Sequence, residues 1–196
     1  MNINLAVNRI KVAFDRFGSG LFSGHSGGKD SCVIHHLIKM AGINDIKIVH
    51  NVKPLLGTSG DPIMALTEQH PLTLNFLYTE VCKDTTVDFL HSSKMKDFIR
   101  KNNLVCQIDG ARISEWNRPG KSSEIVVNGK KVSRLDMPEF VEYGLFDISF
   151  LYPIYDWTDD DVFDFLIEND IKFSQEYNVN GEFSTYLHGK WKIRRY

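Results

Sequence analysis

One short stretch restricts this chain more than any other: Leu21–Phe22–Ser23, a brief apolar run, leads through Gly24 and His25 into Ser26–Gly27–Gly28–Lys29–Asp30–Ser31, and then into an amphipathic segment. Paired glycines let the backbone turn tightly and approach an anion closely. A helix beginning just after them presents N–H groups and the positive end of its dipole. Ser26 and Ser31 contribute hydroxyls and Lys29 a full positive charge, so the segment suits a phosphate or pyrophosphate group. It is not a Walker A loop, because Lys29 is followed by Asp30 where Ser or Thr is required, and its glycine spacing does not fit a dinucleotide fingerprint. A strand–loop–helix unit of this kind belongs to an α/β fold.

The rest of the chain continues the alternation. Residues 1–17 read as an amphipathic helix with Leu5, Ile10, Phe14 and Phe17 near one face, ended by Gly18 and Gly20. A helix is predicted from about Ser31 to Met40, with Val33, Leu37 and Met40 along one stripe, Ile34, Ile38 and Ala41 beside it, and Gly42 as its stop. Ile46–His50, Thr73–Tyr78, Leu104–Asp109 and Leu145–Leu151 are strand candidates. Asp61–Pro62 starts one helix, and Thr86–Lys101 forms another with Val87, Leu90 and Phe98 on a face. Glu124–Arg134, turning at Asn128–Gly129, reads as an inserted hairpin, since a type I′ turn needs positive φ at both central residues. Thr158 caps a helix reaching about Glu168, with Asp159, Asp160 and Asp161 in the first turn, where the dipole favours them. The expectation is a single domain over 1–196: a parallel sheet covered on both faces, an N-terminal helix at 1–18, a hairpin insertion at 124–135 and a basic tail at 182–196. Ligands of such sheets bind at the carboxyl ends of the strands.

Composition excludes several classes. With 23 Lys and Arg against 25 Asp and Glu, the net charge of −2 argues against a strongly basic nucleic-acid binder. A nucleic acid could be gripped only through the tail, where Lys190, Lys192, Arg194 and Arg195 stand among Trp191 and Tyr196; a tail closing over a nucleotide and a plain solvated terminus are the other readings, the last preferred. No apolar run nears the roughly 20 residues that span a bilayer, and the first residues lack a signal peptide's apolar centre. Cys32, Cys82 and Cys106 are dispersed with no CxxC, which speaks for a reduced, cytoplasmic setting and against a disulfide scaffold, a zinc site or an iron–sulfur cluster. Each Cys reads as a small buried hydrophobe.

Ser26–Ser31 resembles the PP-loop of the N-type ATP pyrophosphatases, a superfamily that includes the phosphoadenosine phosphosulfate (PAPS) reductases and several tRNA-thiolating enzymes. The resemblance implies an adenine nucleotide alpha-hydrolase-like, Rossmann-like fold. The loop would hold ATP's terminal phosphates or the 3′-phosphate side of a sulfonucleotide, with Ser23 and Gly24 leading into it and His25 within reach of the anion. Asp30 would be a magnesium contact or a loop-orienting group. Pro153–Ile154–Tyr155–Asp156–Trp157–Thr158, with its helix and Tyr177, looks like the P-[LI]-x-D-W-[ST]-x-x-D-[VI] segment of the PAPS reductase family; Trp157 reads as a packing residue. Gly110–Ala111–Arg112–Ile113–Ser114–Glu115 resembles that family's Gly-x-Arg-x-x-Glu element, with Arg118 near its second Arg, and a guanidinium fork suits phosphate or sulfate. His50 and Asn51 fall at the family's adenosine-contacting position, although the loop that follows departs from its usual wording.

The family's catalytic Cys is missing: Leu187–His188–Gly189 is similar to the end of its C-terminal motif, but no Cys lies beyond Cys106. Without a thiolate no thiosulfonate intermediate forms. What the resemblance then implies first is ATP cleavage between the α and β phosphates, with magnesium, adenylation of an unspecified acceptor and release of pyrophosphate. Lys29 and Arg112 would stabilise the developing charge, with Asp30 beside them, and Ser26, Gly27, Gly28 and Ser31 would position the pyrophosphate. A sulfonucleotide reductase with a relocated or borrowed thiol is the alternative; a non-catalytic nucleotide-binding module of a larger complex, or a homodimer, stays open.

Overall fold

Leu21–Gly24 is β1, and its placement organises everything else. In the computed structural model, which describes residues 1–26, 28–52, 74–78, 93–116, 124–127, 130–133, 140–143, 148–171, 178–179, 182–187 and 190–194, β1 lies inside a six-stranded sheet. Its parallel neighbours are β2 (Lys47–Val52) and β4 (Cys106–Ile108). Outside them lie β3 (Leu74–Tyr78), parallel to β2, and β8 (Ile148–Leu151), parallel to β4. An antiparallel edge strand, β7 (Phe140–Tyr143), completes the order β3-β2-β1-β4-β8-β7. Strand order reverses at β1, so the crevice at its carboxyl end, between β2 and β4, is the topological switch point where ligands of open α/β sheets bind.

Helices cover both faces, as the alternation predicted. On one side α1 (Ile3–Phe17), α2 (Lys29–Met40) and α5 (Asp159–Glu168) bury Ile10, Leu37 and Phe163 against Leu21, Ile48, Cys106 and Leu151. On the other, α3 (Ser93–Lys101) sets Met95 and Ile99 against Phe22, Val49 and Phe150. A single turn, α4 (Ile113–Trp116), follows β4. Glu124–Val127 (β5) and Lys130–Ser133 (β6) pair as the predicted hairpin, with Val127 opposite Lys130. No helix among the described residues is long and apolar enough to cross a membrane.

Several expectations needed revision. In α1 the buried stripe is Ala6, Ile10 and Ala13, while Leu5 is exposed; the larger side chain lies one position off the i, i+4, i+7 row that faces the sheet. Met40, at the end of α2, is likewise exposed. α2 begins at Lys29, two residues earlier than expected, because Gly28 takes the extended N-cap conformation (φ −74°, ψ 163°) and Asp30 sits in the favourable first turn. Edge strand β7 was not anticipated, and the first part of the expected last strand, residues 145–147, lies outside the described residues. The C-terminal segment is not a plain tail: β9 (Asn178–Val179), β10 (Glu182–Leu187) and β11 (Lys190–Arg194) form an antiparallel sheet. Basic residues alternating with Trp191 and Ile193 are a period-2 strand pattern that the charge count obscured. The expected helix at Asp61–Pro62, the first part of the one from Thr86, and Gly27, Cys82, Arg118 and Tyr177 lie outside the described residues.

Candidate functional site

At the carboxyl end of β1 two networks meet. The first is uncharged. Ser31 Oγ lies 2.8 Å from the Gly28 carbonyl and donates to it, which commits its only proton. The 3.1 Å contact between Ser31 Oγ and His25 Nδ1 must therefore be an Nδ1–H donated by His25. By the same count, Ser26 Oγ, 3.3 Å away, donates to Ser31 Oγ and accepts from the Gly28 N–H at 3.2 Å. His25 is itself fixed by its backbone N–H donating to the Val49 carbonyl of β2 at 2.8 Å. Its ring meets that of His35 edge to face at 4.0 Å, and His35 Nε2 lies 3.3 Å from Ser23 Oγ. No side chain caps α2 at Gly28, so its first turn offers N–H groups to an anion rather than to an Asp or Ser cap.

The second network is ionic. Arg112 is fully buried and Lys29 nearly so. Asp30 Oδ2 lies 2.6 Å from Lys29 Nζ, and Asp30 Oδ1 2.8 Å from Arg112 Nε. Asp159 Oδ1, at the first residue of α5, lies 2.6 Å from Arg112 Nη2 and 3.4 Å from Lys29 Nζ. Arg112 Nη1 adds a long contact, 3.4 Å, to Ser114 Oγ. Burial pushes the Asp159 carboxyl toward protonation, but the attraction and hydrogen bonds of Arg112 and Lys29 outweigh it and hold its pKa below the ordinary carboxylate value. Gly110 permits this packing: a Cβ there would stand 3.0 Å from Asp30 Cβ and 3.1 Å from the Asp30 carbonyl carbon.

The two segments named by the family resemblance are thus brought together. The Ile113 N–H donates to the Tyr155 carbonyl at 2.8 Å, joining the Arg112 loop to Pro153–Thr158. Asp156 pairs with Arg9 at 2.9 Å, Arg9 Nη1 also donates to the Pro153 carbonyl at 2.8 Å, and the guanidinium covers the Tyr155 ring. Trp157 is buried and meets Phe165 edge to face, which is the packing role expected of it. The segment thereby delivers Asp159 to Arg112 and Lys29.

Of the residues singled out from sequence, Ser23, Gly24, His25, Ser26, Gly28, Lys29, Asp30, Ser31, Gly110 and Arg112 belong to this one region. The backbone of His50 and Asn51 lies on β2, directly beside β1. Each Asp30 oxygen faces a cation, Oδ2 toward Lys29 and Oδ1 toward Arg112. Among the described residues no group of three or more His, Cys, Asp or Glu could hold a metal ion.

Sequence reasoning missed Asp159 as an ion-pair partner, His35, and Gln107, a buried β4 residue whose carboxamide lies beside Gly24 and 3.5 Å from Asp109 Oδ2. His35 carried a usable signal, one helical turn after Ser31. Cys32 and Cys106 are buried, and burial pushes the Cys106 thiol up to about 12.

No protein-family model matches the chain, and no curated protein matches its sequence significantly. Solved structures do resemble it. FMN adenylyltransferase from Candida glabrata in complex with ATP superposes with a TM-score of 0.64 at 15% identity, covering 93% of this chain and 61% of that one. The PAPS reductase from Candida auris, in a phosphate complex, gives 0.56 at 12% identity, covering 87% of this chain and 82% of that one. The U34-tRNA thiolase NcsA from Methanococcus maripaludis, with its [4Fe-4S] cluster, gives 0.56 at 15% identity, covering 91% and 67%. The chain spans about three-fifths of the length of the FMN adenylyltransferase. These likenesses show the fold: it is the PP-loop, adenine nucleotide alpha-hydrolase-like fold.

Proposed function

We propose that the chain binds an adenine nucleotide at Ser26–Ser31 and cleaves ATP between its α and β phosphates, transferring the adenylyl group to an acceptor and releasing pyrophosphate. The observation that carries this reading is the convergence of an uncapped helix N-terminus, the Ser26–Ser31 hydroxyl pair, and two buried cations, Lys29 and Arg112, at the switch point of the sheet. The backbone N–H groups and hydroxyls would seat the pyrophosphate. Lys29 and Arg112, in a water-poor setting, would stabilise the negative charge that grows on it as the bond breaks. His25 and Asp30 act by position, the first orienting Ser31 and the second holding Lys29 and Arg112 at fixed separation. Magnesium enters with the nucleotide. The likeness to an adenylyltransferase bound to ATP supports this choice among PP-loop chemistries.

The thiol inventory weighs against sulfonucleotide reduction. Cys106 has almost no thiolate near neutral pH, and Cys32 packs into the apolar core. The test is to incubate the protein with α-labelled ATP, magnesium and a panel of phosphorylated and nucleic-acid acceptors, and to identify products. Pyrophosphate and an adenylylated acceptor are expected. Release of sulfite from PAPS with a thiol donor, and no turnover of ATP, would replace this reading with the reductase.

A further inference from the structure

Asp159 stands where a ligand oxygen would be expected. Its Oδ1 lies between a guanidinium and an ammonium, 2.6 Å from Arg112 Nη2 and 3.4 Å from Lys29 Nζ. An oxygen shared between an Arg and a Lys is the usual geometry of a bound phosphate. Yet Asp159 is not the cap of its own helix, where its part is the dipole interaction it shares with Asp160 and Asp161. The N-terminus of α5 is closed by a capping box in which Asp161 Oδ2 accepts from the Thr158 N–H at 2.8 Å and Thr158 Oγ1 accepts from the Asp161 N–H at 3.1 Å. The body of α5 is docked through Val162, Phe163, Phe165 and Leu166, all buried. Asp159 could therefore release Arg112 and Lys29 by a side-chain rotation, leaving α5 capped and packed. The charge it would release is needed: Asp30 already answers both cations.

Resting on the reading of Ser26–Ser31 as a phosphate site, we propose that Asp159 is a built-in competitor for that site. It occupies the anion position between Lys29 and Arg112, and an incoming phosphate group takes its place. The consequence is selectivity by charge. A small anion that reaches only Lys29 and Arg112 gains little over the carboxylate it must displace. A di- or polyphosphate brings several negative charges, reaches the Ser26–Ser31 hydroxyls as well, and wins. Asp159 thus sets a threshold that favours nucleoside di- and triphosphates and pyrophosphate over sulfate, monophosphate or carboxylate ligands. The depressed pKa of Asp159 agrees with this, since the competitor stays ionised at neutral pH.

The experiment compares the unsubstituted protein with Asp159→Asn by calorimetric titration with inorganic pyrophosphate, ATP and inorganic sulfate. Asn keeps the shape and an acceptor for Arg112 but removes the charge. The expected result is roughly tenfold tighter pyrophosphate binding by Asp159→Asn, a size in keeping with one unit charge removed at contact distance in a partly screened site, with a larger relative gain for sulfate. If the unsubstituted protein binds pyrophosphate and Asp159→Asn binds it equally or less well, the competitor is overturned while the phosphate loop stands. If neither protein binds pyrophosphate or ATP, the loop reading falls and takes the competitor with it. Should Asp159→Asn fail to fold, a structure of the unsubstituted protein with pyrophosphate decides. Asp159 Oδ1 displaced from Lys29 and Arg112 supports the proposal; both contacts retained beside a bound pyrophosphate overturn it.

Discussion

The uncharged and ionic halves of the site are built on different scales. The side-chain contacts described for the first run between Ser23 and His35, spanning five, six and twelve positions, and the His25 backbone N–H reaches Val49 on β2. One strand, one turn and one helix supply its side chains. The second joins three separate segments, and its contact between Arg112 and Asp159 spans 47 positions. On the proposed reading, the local half sets where a ligand's oxygens go. The distant half sets how much charge they meet, and it depends on the whole sheet being assembled.

Breaking the distant half should therefore cost most. Arg112→Ala strips two half-buried carboxylates of a fully buried shared partner, and a loss somewhat below the roughly 3–5 kcal/mol of removing one member of a buried ion pair is expected. Arg112→Lys keeps the charge without the fork that reaches Asp30 and Asp159 together, so it should fall between Ala and the parent protein. Urea unfolding measures both; equal stability of Arg112→Ala and the parent would show that the network carries no net stabilisation. Gly110→Ala comes next, at about 1–3 kcal/mol, because the new methyl meets Asp30 backbone that cannot swing aside. A fully tolerated Ala would mean that the Arg112 loop is looser than its contacts imply.

The local half should show smaller losses of stability but full loss of binding. Ser31→Ala removes the hydroxyl shared by Gly28, Ser26 and His25, for about 1 kcal/mol. Lys29→Ala combined with Ser31→Ala should abolish the rise in melting temperature that ATP produces by mass action; an undiminished rise would place the nucleotide elsewhere. A pH series separates the halves further. The Asp159 pKa is depressed by folding, so its contribution is present above the ordinary carboxylate value of 3.8 and is lost as pH falls through the lower folded value. Stability of the parent should fall faster below about pH 4 than that of Asp159→Asn. The smallest effect concerns thiols: Cys32 and Cys106 should resist alkylation at pH 8 in the folded protein, checked by peptide mass.

The same contrast explains what could be read from the sequence. Ser26–Ser31 was legible because its chemistry is local and its residue types have few other uses together. The strands β1, β2 and β4 and the cap at Thr158 were legible because their signals are periodic or positional. Asp159 was visible only as one of three acidic residues at a helix start, where the dipole alone accounts for all three; nothing in a linear pattern distinguishes the one that reaches Arg112. His35 lies within a helix whose apolar stripes, Val33, Leu37 and Met40 with Ile34, Ile38 and Ala41, hold the attention in a linear reading. Strand β11 was hidden because four basic residues in seven positions read as a solvated end, although their alternation fits a strand.

The tie between Arg9 and the Pro153 carbonyl, 144 positions apart, has a meaning for the order in which the molecule is made. During synthesis α1, β1 and α2 emerge first and can complete the Ser26–Ser31 turn early. They must then wait for more than a hundred further residues before Arg9 finds its anchor and Asp159 meets Lys29. Such long closures fold slowly. The hydroxyl contacts around Ser31 can thus form early in the making of the molecule, while the ion pairs of Arg112 and Asp159 come last.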